Sequence, residues 1–295
     1  MSAPSASSAG FIDLHSHTNA SDGTFTPDEL IALAQRIGLA ALAITDHDTF
    51  QGYERALPIA NAAGLDLVRG IELNSRLFVD DAGHPKFAHV LVYFPAHEPS
   101  KGFQDSIQEE RAERRSRNEK LVKALQERGV DITLREVEER GRTLAGRPHF
   151  ARILVEKGYV PNFDEAFRQY LGEDAPSYVE RESKTTEEVV AFARAGGGIP
   201  VLAHPIRLSL PRATEAAMFE HLQQAGLVGL EVYHSEHPPA LQAYYRELAA
   251  RLNLLPTGGS DFHGAVKPDI ELGSGRANNV RVPAEFLEGL RRFMQ

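Results

Sequence analysis

Phe11-Ile12-Asp13-Leu14-His15-Ser16-His17 follows ten small or polar residues and decides how the rest of the chain is read. The period of two that marks a strand sets Asp13, His15 and His17 on one face and Ile12 and Leu14 on the other. Two imidazoles on one face can grip one ion. The same order, an apolar run and then a potential ligand, recurs through the chain. Ala40 to Thr45 precedes Asp46, His47 and Asp48, and Leu67-Val68 precedes Glu72. Phe87-Ala88 leads to His89, Ile199 to Ala203 precedes His204, and Leu254-Leu255 precedes Gly258-Gly259-Ser260-Asp261-Phe262-His263. A single histidine is ordinarily a hydrogen-bonded core or surface residue. Six of the chain's 12 at matching strand ends, with Asp22, Glu72 and Asp261 beside them, read instead as the ligand set of a polynuclear metal site.

Strands that each deliver a ligand must converge. A barrel of parallel strands alternating with helices achieves this, because its site is assembled at the C-terminal ends of the strands. The intervening helices are legible. Thr26-Pro27-Asp28-Glu29 is a capping box with proline at the first helical position, Leu30, Leu33, Ala34 and Ile37 form the apolar stripe, and Gly38 ends it. Similar helices are expected over 53–63, 186–195, 213–225 and 239–252. About seven strands can be counted, fewer than the eight of a standard barrel.

The stretch from Lys101 to Val179 interrupts this rhythm with helical segments alone. Phe103 to Arg128 is densely charged and ends at Gly129; Leu134 to Arg140, His149 to Lys157 and Asp164 to Leu171 follow. The expected organisation is therefore a flexible tail over 1–10, a barrel over 11–100 and 180–295, and a small all-α insertion over 101–179. Arg111, Arg114, Arg115, Arg117, Lys120 and Lys123 are interleaved with Glu109, Glu110, Glu113 and Glu119, which describes a solvated helix face better than a nucleic-acid track.

His-x-His at His15 and His17, Thr-Asp-His-Asp at 45–48, Gly-Ile-Glu-Leu at 70–73, Ala-His-Pro at 203–205 and Ser-Asp-Phe-His at 260–263 together resemble the signature of the PHP (polymerase and histidinol phosphatase) family. Within it, the chain looks most like the branch of nucleoside 3′,5′-bisphosphate phosphatases and ribonuclease AM, a 5′-to-3′ exoribonuclease. The resemblance implies an α/β fold, a distorted seven-stranded (β/α) barrel, in agreement with the strand count. Carried over residue by residue, it implies a first metal on His15, His17, Glu72 and Asp261. A second would share Glu72 and add His89 and His204, and a third would take Asp22, His47 and His263. Asp22 stands where some members of the family have histidine.

Two or three divalent ions are thus expected. Imidazole and carboxylate donors suit manganese, iron or zinc, and manganese is the expected choice. Two ions sharing Glu72 would hold a bridging hydroxide for in-line attack on a phosphate ester. Asp261 or His204 would guide its proton, and Asp48, His234 or a water would protonate the leaving oxygen. Substrate contacts are expected from Arg147, His149, Arg207 and Tyr178, since the guanidinium fork binds phosphate oxygens bidentately and a tyrosine ring stacks on a base.

Composition narrows the partners. The 32 basic and 41 acidic residues give a net charge of −9, unfavourable for holding a long polyanion or a duplex, whereas a loaded metal site would be locally positive. The expected substrate is a small phosphorylated nucleotide or a short RNA. No membrane span or secretion signal is expected; zero cysteines exclude thiolate zinc sites and disulfides without fixing the compartment, for which the cytoplasm is the default expectation. Three activities follow: a bisphosphate 3′-phosphatase first, a 5′-to-3′ exoribonuclease second, and a catalytically inert metal-binding module third. A metal-dependent amidase or deaminase ranks below them.

Overall fold

The structure is a computed structural model that describes residues 10–78, 85–141, 145–172, 175–179 and 184–295. The tail expected over 1–10 lies, Gly10 apart, outside these. The chain divides into two compact units, Met1–Phe103 with Lys184–Gln295, and Gln104–Ser183.

The first unit is built on an eight-stranded sheet. Its strands are β1 (Phe11–Asp13), β2 (Ala41–Ile44), β3 (Asp66–Phe78), β4 (Pro85–Phe94), β5 (Ile199–Leu202), β6 (Gly229–Tyr233) and β7 (Leu255–Gly258), preceded in the sheet order by the two-residue β10 (Val282–Pro283). A separate two-stranded sheet pairs β8 (Ile270–Glu271) with β9 (Gly275–Arg276). The strand count of about seven matches β1 to β7; the apolar runs singled out in the sequence correspond to β1 to β5 and β7, and β6 is not among them. The chain beyond β7 returns to the chain beyond β1: Leu14 N–H donates to Gly258 O at 3.1 Å, Asp261 N–H to His15 O at 2.8 Å, and Ser16 bridges Phe262 in parallel. The sheet is thereby drawn into a nearly closed barrel, while β10 pairs antiparallel with Phe11 and Ile12 at the start of β1.

One expectation fails. The strands are not all parallel, because β4 runs antiparallel to both β3 and β5. Six residues join β3 to β4, too few for the crossover a parallel pair needs. The reversal explains why the longer apolar run of β4, Val90 to Val92, comes after His89, although Phe87-Ala88 also precedes it. On a reversed strand, the N-terminal half lies at the end where the parallel strands finish.

Packing follows the period of two. In β2, Ala41 and Ala43 pack with Val68, Leu91, Tyr93, Ile199 and Val201, whereas Leu42 and Ile44 pack with Leu30, Ile31, Tyr53 and Ala56. The latter group comes from helices α1 (Pro27–Ile37) and α2 (Gln51–Ala63). Burial on both faces is what a strand covered by βα connections requires, and β2 and β5 are buried throughout. The Thr26 hydroxyl accepts the Glu29 N–H at 3.3 Å and the Glu29 carboxylate accepts the Thr26 N–H at 2.8 Å, completing the capping box of α1.

The long helix α3 (Lys101–Gln126) starts in the first unit and continues into the second, where it is followed by α4 (Leu134–Gly141), α5 (Arg147–Glu156) and α6 (Phe163–Ala166), the last continuing as a π-helical turn over Phe167–Leu171. Leu121, Leu125, Val137, Phe150, Leu154 and Leu171 form the core of the second unit. The chain then re-enters the first unit through α7 (Thr186–Ala195), α8 (Arg212–Gln224) and α9 (Pro239–Arg251), and ends on α10 (Glu285–Phe293). No helix among the described residues is long and apolar enough to cross a membrane.

Candidate metal centre

Glu72 lies at the centre of a histidine cluster. Its Oε2 is 3.3 Å from His15 Nε2, 3.1 Å from His17 Nε2 and 3.3 Å from His47 Nε2. Its Oε1 is 2.7 Å from His89 Nδ1 and 2.9 Å from His204 Nε2. These side chains arrive from the ends of β1, β2 and β5 and from the first half of β4, and local pairing sets their register. His47 bridges Glu72 in parallel, the Glu72 N–H donates to Asp46 O at 3.3 Å, and the Ala203 N–H donates to His89 O at 3.0 Å.

Asp261 is the second focus. Its Oδ1 is 3.4 Å from both His15 Nε2 and His17 Nε2 and 3.5 Å from His263 Nδ1. Its Oδ2 accepts from Arg207 Nη2 at 2.8 Å and from Lys267 Nζ at 2.7 Å, with His234 Nε2 at 3.4 Å. Asp22 forms a third focus, Oδ2 lying 3.3 Å from His263 Nε2 and 3.9 Å from His47 Nε2, and Oδ1 3.5 Å from His17 Nδ1.

Three sets of ligand atoms each lie within 4.8 Å of one another: His15, His17, Glu72 and Asp261; His17, Asp22, His47 and His263; and His47, Glu72 and His89. The first set is the one expected. The other two differ: His17 joins the third set, and in the second His47 stands in place of His204, because the parallel pairing of His47 with Glu72 brings the end of β2 against β3. His204 reaches Glu72 on the oxygen that also faces His89.

The donor set fits divalent cations. Both ring nitrogens of His17 and Nδ1 of His47 are buried without a hydrogen-bond partner, although buried polar atoms are nearly always paired. Coordination would satisfy them. Burial would raise the Glu72 and Asp261 carboxyls, but the surrounding imidazoles outweigh it and hold both well below the usual carboxylate range. Asp22 is likewise held low by His47, His263 and His17 against the effect of burial. Burial lowers His47 to about 4, and lowers His204 to about 3 despite its hydrogen bond to Glu72, so both rings keep a lone pair at neutral pH. His17 goes the other way: burial opposes its charge, but Asp261, Glu72 and Asp22 raise it to about 9.

Backbone strain gathers at the same place. Asp48, His204 and Asp261 have φ of 52°, 27° and 57°, a region non-glycine residues seldom occupy. Asp48 is buried, and its N–H donates to Glu72 O at 3.1 Å. Arg207, expected at substrate phosphate, lies at the cluster, paired through two bonds of 3.0 and 2.9 Å with Glu236 as well as with Asp261. The other expected substrate residues lie in the helical unit. The Arg147 guanidinium sits 5.7 Å from the Tyr178 ring centroid, and His149 Nδ1 accepts the Gly146 N–H at 3.3 Å, capping its own helix.

Sequence reading missed Lys267, Glu236 and Glu231. Lys267 and Glu236 are single charges in polar loops, with nothing to mark them. Glu231 carries a signal that was available, a carboxylate inside the apolar run Gly-Leu-Glu-Val-Tyr.

Comparison with known proteins identifies the family. The PHP domain model matches residues 13–173. The 3′,5′-nucleoside bisphosphate phosphatase of Chromobacterium violaceum is 32% identical over 253 residues, covering 85% of this chain and 87% of that protein. A 5′-3′ exoribonuclease of Haemophilus influenzae is 27% identical over 260 residues, covering 85% and 89%. A solved structure from Bifidobacterium adolescentis, described as a metal-dependent phosphoesterase, superposes with a TM-score of 0.71 at 32% identity, covering 96% of each chain. The chain belongs to the PHP domain family of metal-dependent phosphoesterases.

Proposed function

We propose that the enzyme removes the 3′-phosphate of nucleoside 3′,5′-bisphosphates. The observation that carries this reading is the meeting of Arg207 and Lys267 on one oxygen of Asp261, beside the ligand cluster. Two cationic side chains at the rim of such a cluster suit a substrate that brings a second phosphate. The similarity to the Chromobacterium violaceum phosphatase supports it.

In this reading, His15, His17, Glu72 and Asp261 hold one divalent ion, Glu72, His89 and His204 a second, and Asp22, His47 and His263 a third, with manganese the expected metal. Ions held there supply an activated water and neutralise charge on the phosphoryl oxygens. Asp261 and His204 guide the proton of the attacking water. Asp48 or His234 delivers a proton to the leaving 3′ oxygen, and the Arg207 fork grips the 5′-phosphate. Arg147, His149 and Tyr178 of the helical unit, which we take as an insertion spanning 101–179, are proposed substrate contacts. The cytoplasm is the compartment we expect for this reaction.

Exoribonuclease action on short 5′-phosphorylated RNA is the second reading, favoured by the similarity to the Haemophilus influenzae enzyme. The two are related chemically, since a bisphosphate is the smallest molecule with both a 5′-phosphate and a 3′ ester. The test is to incubate metal-loaded protein with adenosine 3′,5′-bisphosphate, AMP, a short 5′-phosphorylated RNA and phosphoserine. Phosphate release from the bisphosphate, leaving AMP, is the expected result; faster mononucleotide release from RNA would install the second reading. Full activity after removal of metal by chelator would end both.

Replacing Arg207 or Arg147 with Ala provides a second arm. Loss of a charge-assisted grip should cost about 1.5–3 kcal/mol toward the bisphosphate, roughly ten- to a hundredfold in kcat/KM, beyond any loss on an aryl phosphate. An equal loss on both substrates would place the arginine at the scissile phosphate instead.

A further inference from the structure

Glu231 is wholly buried on β6, and nothing in the reaction proposed above uses it. Its two carboxylate oxygens do different things. Oε1 lies 2.8 Å from His15 Nδ1, and Oε2 accepts the backbone N–H of His204 at 2.7 Å. The same two histidines face Glu72 on their other sides, His15 Nε2 at Oε2 and His204 Nε2 at Oε1. Their rings lie 5.8 Å apart and 27° from parallel, held between two carboxylates.

The consequences are chemical. An ionised carboxylate only accepts hydrogen bonds, and a neutral His15 has one ring proton to give. Nδ1 lies 2.8 Å from Glu231, closer than Nε2 lies to Glu72 at 3.3 Å or Asp261 at 3.4 Å, so with an ion held among the latter pair the proton would sit on Nδ1 and the Nε2 lone pair would face the ion. The other oxygen secures the amide of a residue whose φ of 27° is costly to maintain. One rigid group thus sets the tautomer of one candidate ligand and the backbone of another. We propose that Glu231 is a positioning residue that orients His15 and His204 for ion binding, an inference that rests on the metal reading of the preceding section.

Glu231→Gln is informative because it keeps the volume but supplies only one acceptor oxygen. Its amide NH2 must then face either His15 Nδ1–H or His204 N–H, two donors, so one of the links is lost. The control is Glu215→Gln, another buried carboxylate of the same unit, which accepts from Tyr245 and lies outside the cluster.

Manganese binding, followed by the resonance signal of the free ion, gives affinity and stoichiometry for the wild type and both variants. Glu231→Gln should weaken binding about ten- to a hundredfold, as loss of a group that orients a ligand typically does. Glu215→Gln should leave binding unchanged. Equal weakening by both variants, or none by Glu231→Gln, overturns the proposal. A wild type that binds no manganese overturns the metal reading itself.

A measurement on the unsubstituted protein guards against a variant that does not fold. In zinc-loaded protein, nitrogen-15 spectra of the His15 ring should show a proton on Nδ1 and none on Nε2. The opposite assignment would remove Glu231 from the role.

Discussion

Asp22 keeps 29% of its side chain exposed, whereas Glu72 and Asp261 keep 1% and 2%. It contributes a charge to the cluster from the solvent side, near His17, His47 and His263. If the third ion takes part in turnover, Asp22→Ala should lower the maximal rate by about tenfold or more, and Asp22→His, which retains a donor, should recover much of it. Normal rates in both variants would make that position dispensable. His17 yields a prediction with a defined sign. Its pKa of about 9 lies above the ordinary histidine value, so without metal the ring is charged at neutral pH, and coordination must expel a proton. Metal affinity should therefore climb as pH rises through the neutral range, about tenfold per unit for each proton displaced. His15, where burial opposes the charge but Glu231, Glu72 and Asp261 hold the ring well above the ordinary histidine value, adds a second such proton. Calorimetry in buffers of differing ionisation enthalpy should detect the released protons. His47 and His204, already neutral, add nothing to that release.

Elements meet where β7 gives way to the Ser260-Asp261 turn, and glycine is needed there. A Cβ on Gly259 would collide with the backbone nitrogen and Cβ of His15, because the chains beyond β1 and β7 run side by side. Asp13 reinforces the contact, accepting from Ser260 N at 3.0 Å, Ser260 Oγ at 2.6 Å and Gly273 N at 2.7 Å. Gly259→Ala should destabilise the fold by about 1–3 kcal/mol through overpacking, read as a lower midpoint of denaturant unfolding, and should weaken metal binding by moving Asp261. An unchanged midpoint with normal binding would mean that the two chains can separate without penalty. These elements also mark the limit of sequence reading. Strand period, capping boxes and terminal glycines are local signals, so β1, β2, α1 and α7 could be placed from the chain alone. The reversed β4 depends on the length of a connection, and β10 is only two residues long, so pattern had nothing to measure. Glu231 acts on His15 across 216 residues, a relation only the folded barrel creates.

The whole molecule carries 32 basic and 41 acidic residues, and the basic run of its long helix is partly spent inside the helical unit. Arg115 is held by Glu119 at 2.7 Å and by Glu138 at 2.8 Å. A pair of this kind leaves the Arg115 guanidinium less free to hold a polyanion. If substrate is drawn by the cationic groups at the cluster, as proposed, salt dependence measures how many phosphates are gripped. For single strands the logarithm of affinity falls with the logarithm of salt by about 0.7 per phosphate contacted, so one or two contacts give a slope between about −0.7 and −1.4. We expect a slope in that range for 5′-phosphorylated RNA, unchanged as the RNA is lengthened beyond a few nucleotides. A slope that steepens with length would reveal a track along the protein and would favour a processive nuclease over a phosphatase of small nucleotides.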